Sequence, residues 1–151
     1  MSKHPIQPDS RAEAARAVAA VLNGRSLDDA IAACPPMADS RDRAFVRVLA
    51  SATLRDWRAL EVLIKHLTQR QPKPKLRALL AVGLAQIRML DTADHAAVSA
   101  TVDATTALGE PKGRGMVNAV LRRYLRERDA LDLKLPADWL PQWLVEHINR
   151  D

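Results

Sequence analysis

Residues Lys112–Arg128, KGRGMVNAVLRRYLRER, form the densest basic segment of the chain. At about 100° per residue, the apolar side chains of this segment fall on one helical face. They are Met116, Val117, Val120, Leu121 and Tyr124. Asn118, Arg122 and Arg126 follow one another at i, i+4 and i+8 on the opposite side. We therefore predict an amphipathic helix that packs an apolar seam into a core and holds its guanidinium groups toward water.

The row formed by Asn118, Arg122 and Arg126 has two interpretations. Arginine suits phosphate because its planar guanidinium group donates two parallel hydrogen bonds, so the row predicts an RNA-facing surface. A solvated outer face is the commoner outcome for an arbitrary basic helix. Arg123 lies nearer the apolar edge, where a salt bridge or a helix C-terminus is an alternative to RNA.

The helix begins at Lys112, Gly113, Arg114 and Gly115, a pattern with a faint likeness to a glycine-rich phosphate loop. It lacks the spacing of a P-loop or a dinucleotide fingerprint. Backbone N–H groups at the two glycines, beside Lys112 and Arg114, could hold one RNA phosphate at the helix end. A flexible turn leading into the helix is an equally good interpretation.

The composition indicates a single all-α domain. The chain has 151 residues, of which 48% are hydrophobic and only 3% aromatic, so Ala, Leu and Val must fill the core. No period-2 alternation is long enough to predict a strand. The net charge of +5 favours polyanionic partners without identifying one. With no apolar run near ~20 residues and no signal peptide, we expect a cytoplasmic protein without membrane contact.

Capping residues and prolines divide the chain into helices. Ser10 with Glu13 and Ser26 with Asp29 form capping patterns, and Asp39 or Ser40 begins the next helical region. That region is long for one helix, so we place a break near Arg55–Trp57. The later expected features are Pro74 in the first turn of a helix through Leu90, Gly83 at a close helix crossing, Asp94 as an N-cap, Gly109 as a stop and a last helix with Trp139 and Trp143.

The reactive side chains do not assemble a catalytic or metal site. No histidine among His4, His66, His95 and His147 has triad or metal-ligand spacing, and we expect neither a metal nor a cofactor in this chain. The single cysteine, Cys34, precedes two prolines in a predicted loop and fits a plain thiol in a reducing compartment.

Three stretches together resemble a known family. They are LRALLAVGLAQIRML (76–90), HAAVSATVDAT (95–105) and GMVNAVLRRYLR (115–126). They are similar to the NusB-like N-terminal domain of the bacterial 16S rRNA (cytosine-5)-methyltransferase RsmB (Sun/Fmu) family, from about Arg11 to Arg128. The VNAVLRR motif at 117–123 is the most specific element. NusB itself carries a VNGVLD-like version, so Ala119 and the Arg122–Arg123 pair favour the methyltransferase branch.

The resemblance implies a NusB-like bundle of seven to eight helices in two packed subdomains. It implies a helical domain at 10–130, between a disordered leader at 1–9 and a linker or helix at 131–151 that leads toward a catalytic domain. S-adenosylmethionine and a cysteine pair would belong to that further domain. RNA contact by the first helix carries over to Arg11 and Arg16, although NusB is usually richer in arginine there.

Three functions follow from these patterns. The first is a non-catalytic RNA-binding domain that helps recruit or position small-subunit rRNA for a methyltransferase. The second is a free-standing NusB-type transcription antitermination factor. The third is an intramolecular scaffold with little RNA contact, which docks on the methyltransferase domain through the Trp139/Trp143 segment. We expect the chain to end at a truncation point or at a connection to that domain.

Overall fold

The computed structural model describes residues 8–90 and 92–135, which form seven α-helices and no strand. The helices are α1 (Ser10–Leu22), α2 (Leu27–Ala32), α3 (Ser40–Arg55), α4 (Trp57–Leu67), α5 (Pro74–Met89), α6 (Asp94–Ala107) and α7 (Arg114–Leu133), with a 3₁₀ turn at Pro111–Gly113. The predicted all-α bundle is confirmed. The leader through residue 7 and the predicted helix with Trp139 and Trp143 lie outside the described residues.

Helix α5 lies at the centre of the bundle, and every residue from Ala78 to Ile87 is buried. Helices α1, α2 and α3 form one hydrophobic cluster with Leu79 and Val82 of α5. Helices α4 and α7 form a second cluster with Leu80 and Leu84, and α6 contributes to both. The two groups of helices therefore share one central helix. None of the described helices is both long and apolar enough to cross a membrane.

The helix starts agree with the sequence in most places and differ in two. Ser26 and Asp39 cap α2 and α3 as predicted. Helix α1 is capped by Asp9 instead of Ser10, because the Asp9 carboxylate accepts from the N–H groups of Arg11 and Ala12 at 2.9 and 3.0 Å. Helix α6 begins at Asp94 itself, with Ala93 at the N-cap and no side-chain cap bond.

Helix boundaries farther along the chain were predicted closely, apart from one end. The break between α3 and α4 falls at Asp56, inside the predicted range, and Pro74 occupies the first turn of α5. Helix α7 runs to Leu133, beyond the predicted end at Arg128, and Leu131 in its last turn is buried in the core. That contact explains the extension, since packing stabilises a helix more than local propensity does.

Two apolar residues of α1 and α3 lie outside the core. The apolar spacing of these helices predicts that Leu22 and Val48 are buried, but they are 47% and 49% exposed. Helix α3 instead buries the small residues Ala50 and Thr53 beside Leu49. Small side chains allow closer contact between helices than Val48 would. Hydrophobicity alone does not predict that Ala50 and Thr53 are buried in preference to Val48.

Gly83 lies where α5 crosses α6 and α7, as the sequence predicted. A Cβ atom at this position would lie 2.9 Å from Cγ2 of Thr101 and 3.1 Å from Cδ1 of Leu121. These distances are shorter than van der Waals contact between carbon atoms. The glycine therefore allows three helices to pack closely around the centre of the core.

A charged network joins the α3–α4 junction to the ends of α5 and α7. The Arg88 guanidinium donates to Oδ2 of Asp56 and to Oδ1 of Asp132, each at 2.7 Å. The Tyr124 hydroxyl donates to Asp132 at 2.9 Å. Burial disfavours the charged form of Arg88, but the hydrogen bond and charge of Asp56 outweigh it and raise the pKa of Arg88. The network therefore has a structural role, because it holds the α3–α4 junction against the ends of α5 and α7.

Tyr124 should make the domain sensitive to alkaline pH. Burial raises the pKa of Tyr124 to about 12, against the opposing effect of the Arg88 hydrogen bond, whereas an unfolded tyrosine titrates near about 10. Because the folded value is the higher one, the stabilisation is fully present below about pH 10 and is lost as the pH rises through about 12.

The chain has one tyrosine, so its titration can be followed directly by tyrosinate absorbance. We expect the wild-type protein to lose more unfolding free energy than Tyr124→Phe between about pH 10 and 12. A folded-state titration near pH 10 would contradict the prediction.

Candidate nucleic-acid interface

The outer face of α7 carries Arg122 and Arg126, both exposed to solvent. Val117, Leu121 and Tyr124 are buried on the opposite side, which confirms the predicted amphipathic helix. Arg122 donates from Nε to Oδ1 of Asn118 at 3.0 Å, so one turn of the helix holds its guanidinium group. Within residues 8–90 and 92–135, neither exposed arginine forms an ion pair. Both can therefore meet a phosphate.

The turn before α7 differs from the predicted phosphate site. The N–H group of Gly113 donates to the carbonyl oxygen of Glu110 at 2.9 Å, so the expectation of a free donor there was wrong. Gly113 is buried, and a Cβ atom at this position would lie 2.6 Å from Cδ2 of Leu76. Lys112 and Gly115 are exposed. The glycine at 113 therefore serves packing, while Lys112 supplies a cation at the surface.

The two arginines of α1 make contacts within the fold. Arg11 donates from Nε to Oε1 of Gln86 at 3.2 Å and lies 5.0 Å from the centre of the Phe45 ring. Arg16 pairs with Glu13 and donates to the carbonyl oxygen of Ala107 at 2.7 Å. These contacts tie α1 to α5 and α6. RNA contact by Arg11 and Arg16 stays a prediction.

The predicted site residues fall into two groups. Arg114 pairs with Asp103 at 3.1 Å, and Arg16 reaches Ala107 one turn later on α6, so these two arginines approach the same end of α6. Arg122 and Arg126 lie two to three turns farther along α7, the helix whose buried face belongs to the cluster with α4. Arg123 pairs with Glu127 at 2.6 Å. Arg123 thus forms a salt bridge, as one interpretation of the sequence expected, and RNA contact by Arg123 stays a prediction.

A cleft beside α7 was not predicted from the sequence. It lies between the loop 68–72, which joins α4 to α5, and Met116, Ala119 and Val120 of α7, and its volume is about 460 Å³. We call it the α4–α7 cleft. Gln69, Arg70 and Gln71 line one wall. The polar run TQRQ (68–71), which precedes two prolines, could have indicated an exposed loop. The sequence of a loop does not indicate which helix the loop will lie against.

The reactive side chains are dispersed over the described part of the chain. Burial, and then the charge of Glu13, raises the pKa of the Cys34 thiol, with Arg43 opposing. His66 and His95 are exposed. No cluster of three or more potential metal ligands exists among the described residues. Cys34 is thus held as a thiol at neutral pH, which is the weakly nucleophilic form.

Comparison with known proteins finds the NusB family model over residues 8–126. Curated relatives are named ribosomal RNA small subunit methyltransferase B. The Xanthomonas campestris pv. campestris protein is 44% identical over 147 residues, covering 94% of this chain and 33% of its own length. The Xylella fastidiosa strain 9a5c protein is 44% identical, covering 91% and 34%. The Pasteurella multocida protein is 36% identical, covering 99% and 35%.

The chain thus spans about a third of the length of the curated relatives that it matches. The family model extends from the residue before the α1 cap to Arg126, and so includes α1 to α6 completely and α7 in part. The shared central helix and residues 114–126 of the amphipathic α7 fall inside the match. The chain therefore belongs to the NusB family.

Proposed function

We propose that these residues form a non-catalytic RNA-binding domain that recruits or positions small-subunit rRNA for a (cytosine-5)-methyltransferase. The observation that carries the proposal is the exposed pair Arg122 and Arg126 on a helix whose other side is anchored in the core. Two guanidinium groups one turn apart, on a rigid support, suit the repeating phosphates of an RNA backbone. The relatives' name supplies the substrate class.

Among residues 8–90 and 92–135, the side chains favour recognition of the RNA backbone over stacking on bases. Tyr124 is buried, and Phe45 and Trp57 are partly buried against the core. Base stacking needs exposed aromatic faces, whereas phosphate contact needs only accessible cations. Lys112, Arg122 and Arg126 meet the second requirement, and Arg114 can add to them by leaving its exposed pair with Asp103.

Methyl transfer is assigned in this proposal to the part of the relatives that the chain does not cover. S-adenosylmethionine would bind there, and the thiol of Cys34 takes no part. The RNA-binding domain then extends from residue 10 to the end of α7 at Leu133. Residues 1–9 form a leader and the residues after 133 the connection, with Trp139 and Trp143 contacting the methyltransferase domain. A free-standing antitermination factor would share the fold but not this connection.

The scaffold function is the second candidate, and specific contacts favour it. Arg11, Arg16, Arg114 and Arg123 are all engaged by other groups of the domain. Of the cations predicted to bind RNA, Lys112, Arg122 and Arg126 are then left, and the fold alone does not decide the function. Titration of the 151-residue chain with small-subunit rRNA helices at several salt concentrations separates the two candidates.

Binding to RNA through phosphates must weaken with salt. The logarithm of the affinity should fall against the logarithm of salt concentration with a slope of about −0.7 to −0.9 per neutralised phosphate. Absence of binding at low salt would leave the scaffold function.

Replacing Arg122 and Arg126 together by Gln should weaken RNA binding about ten- to hundredfold at low salt, since each charge-assisted hydrogen bond contributes about 1.5–3 kcal/mol before solvent screening. The salt slope should become shallower by about 2. Electrophoretic mobility shift or fluorescence anisotropy measures both quantities, with circular dichroism to confirm unchanged helix content.

The matched control is Arg55→Gln with Arg58→Gln, which removes the same charge at exposed positions of α3 and α4 instead of the outer face of α7. The control pair should change the affinity less than about threefold, through long-range electrostatics only. Equal losses from both pairs would show that net charge, and not the α7 face, governs binding.

A further inference from the structure

We propose that the α4–α7 cleft receives one unstacked base of a single-stranded RNA whose phosphates lie along α7. The inference rests on the proposed function and adds to it the kind of RNA that binds. Duplexes offer only backbone and groove edges, so an RNA with an unpaired nucleotide is the matching substrate.

The walls of the cleft have the chemistry of a base site. Met116, Ala119 and Val120 supply an apolar floor, and Val120 continues into the core. Gln69 and Gln71 provide amide groups that can both donate to and accept from a base edge. The volume of about 460 Å³ falls in the usual range of about 300–1,000 Å³ for small-ligand pockets. Apolar floor and amide wall together match a heterocycle.

The loop side chains are available for a ligand. Gln69, Arg70 and Gln71 are exposed and form no side-chain hydrogen bond or ion pair with the rest of the described chain. The loop itself is anchored, because the Thr68 hydroxyl donates to the carbonyl oxygen of Ile64 at 2.7 Å. Free polar ends on an anchored loop can bind without ordering the backbone first.

Charge around the cleft is complementary to a nucleotide. Among the described residues that line it, Arg70 is the one cation and there is no carboxylate. Ala119 lies within two turns of both Arg122 and Arg126 on α7, so the outer helix face continues from the cleft. A base in the cleft would thus place its flanking phosphates near cations on both sides: Arg70 on the loop and Arg122 or Arg126 on the helix.

Ala119→Leu tests the cleft without removing charge. Ala119 is exposed, so a larger side chain there occupies the cleft and leaves the core intact. Ala130→Leu is the matched control, at another exposed alanine of α7 outside the cleft. The probe is a single-stranded oligoribonucleotide in which 2-aminopurine, a base whose fluorescence rises on unstacking, replaces each position in turn.

With the wild-type chain and with Ala130→Leu, we expect brightening at one position upon binding. Ala119→Leu should abolish the brightening and weaken single-strand binding about tenfold, the size of one lost base contact. Affinity for a blunt duplex should be the same for all three proteins.

Two failures are distinguishable. If the wild-type chain binds no RNA at low salt, the proposed function fails and the cleft proposal fails with it. If it binds with the expected salt slope, but no position brightens or Ala119→Leu binds as tightly as Ala130→Leu, only the cleft proposal is overturned.

Discussion

Replacing Arg88 by Met should lower the free energy of unfolding by about 3–5 kcal/mol, the usual cost of removing one partner of a buried ion pair. The side chain of Asp56 is completely buried, so its carboxylate cannot turn to water when the guanidinium is lost. Asp132 is 38% exposed and can be solvated, so most of the loss arises at Asp56. Urea denaturation followed by circular dichroism measures the change.

Two further variants identify the cause. Arg58→Met removes an exposed arginine two residues from Asp56 and should cost less than about 0.5 kcal/mol. Adding Asp56→Asn to Arg88→Met removes the stranded charge, and the double variant should be more stable than the sum of the two single changes implies. An Arg88→Met protein as stable as Arg58→Met would show that the network contributes nothing.

Replacing Leu121 by Ala should destabilise the domain by about 2–5 kcal/mol, the range for a buried leucine truncated in a core. Leu121 is completely buried in the centre of the α7 seam and packs close to Gly83 of α5. The cavity would open where three helices meet, and α5 cannot collapse into it because α5 also packs against the other cluster.

Leu133→Ala provides the control on the same helix, since Leu133 is 87% exposed. Both substitutions change helix propensity by the same small amount, so their difference isolates burial. Leu133→Ala should lie within about 0.5 kcal/mol of the wild-type protein. Similar losses from the two leucines would contradict the assignment of the buried face of α7.

The orientation of α7 could be predicted because it depends on local periodicity alone. Met116 through Tyr124 repeat at helical spacing, and a helix with one apolar stripe has one way to face a core. The break at Asp56 and the crossing at Gly83 were predictable for similar reasons, because a long helix needs a break and a mid-helix glycine usually marks close packing. These features express rules that act within one or two turns.

The choice of long-range partners was not predictable. Arg11, Arg16 and Arg88 are all arginines on helices, and nothing in their neighbours distinguishes a solvent-facing side chain from one that binds Gln86, Ala107 or Asp56. The α4–α7 cleft is invisible for the same reason, since loop 68–72 and Ala119 meet only in three dimensions. The buried Tyr124 was one usable signal, because a buried hydroxyl needs a hydrogen-bond partner.

The central position of α5 has a consequence for how the domain comes apart. Neither hydrophobic cluster is complete without α5. Unfolding of either group of helices would therefore expose one side of α5 to solvent. The two groups consequently cannot behave as independent folding units, despite their separate clusters. We therefore expect the domain to unfold as one cooperative unit, in which the amides of α5 exchange with solvent only when the whole structure opens.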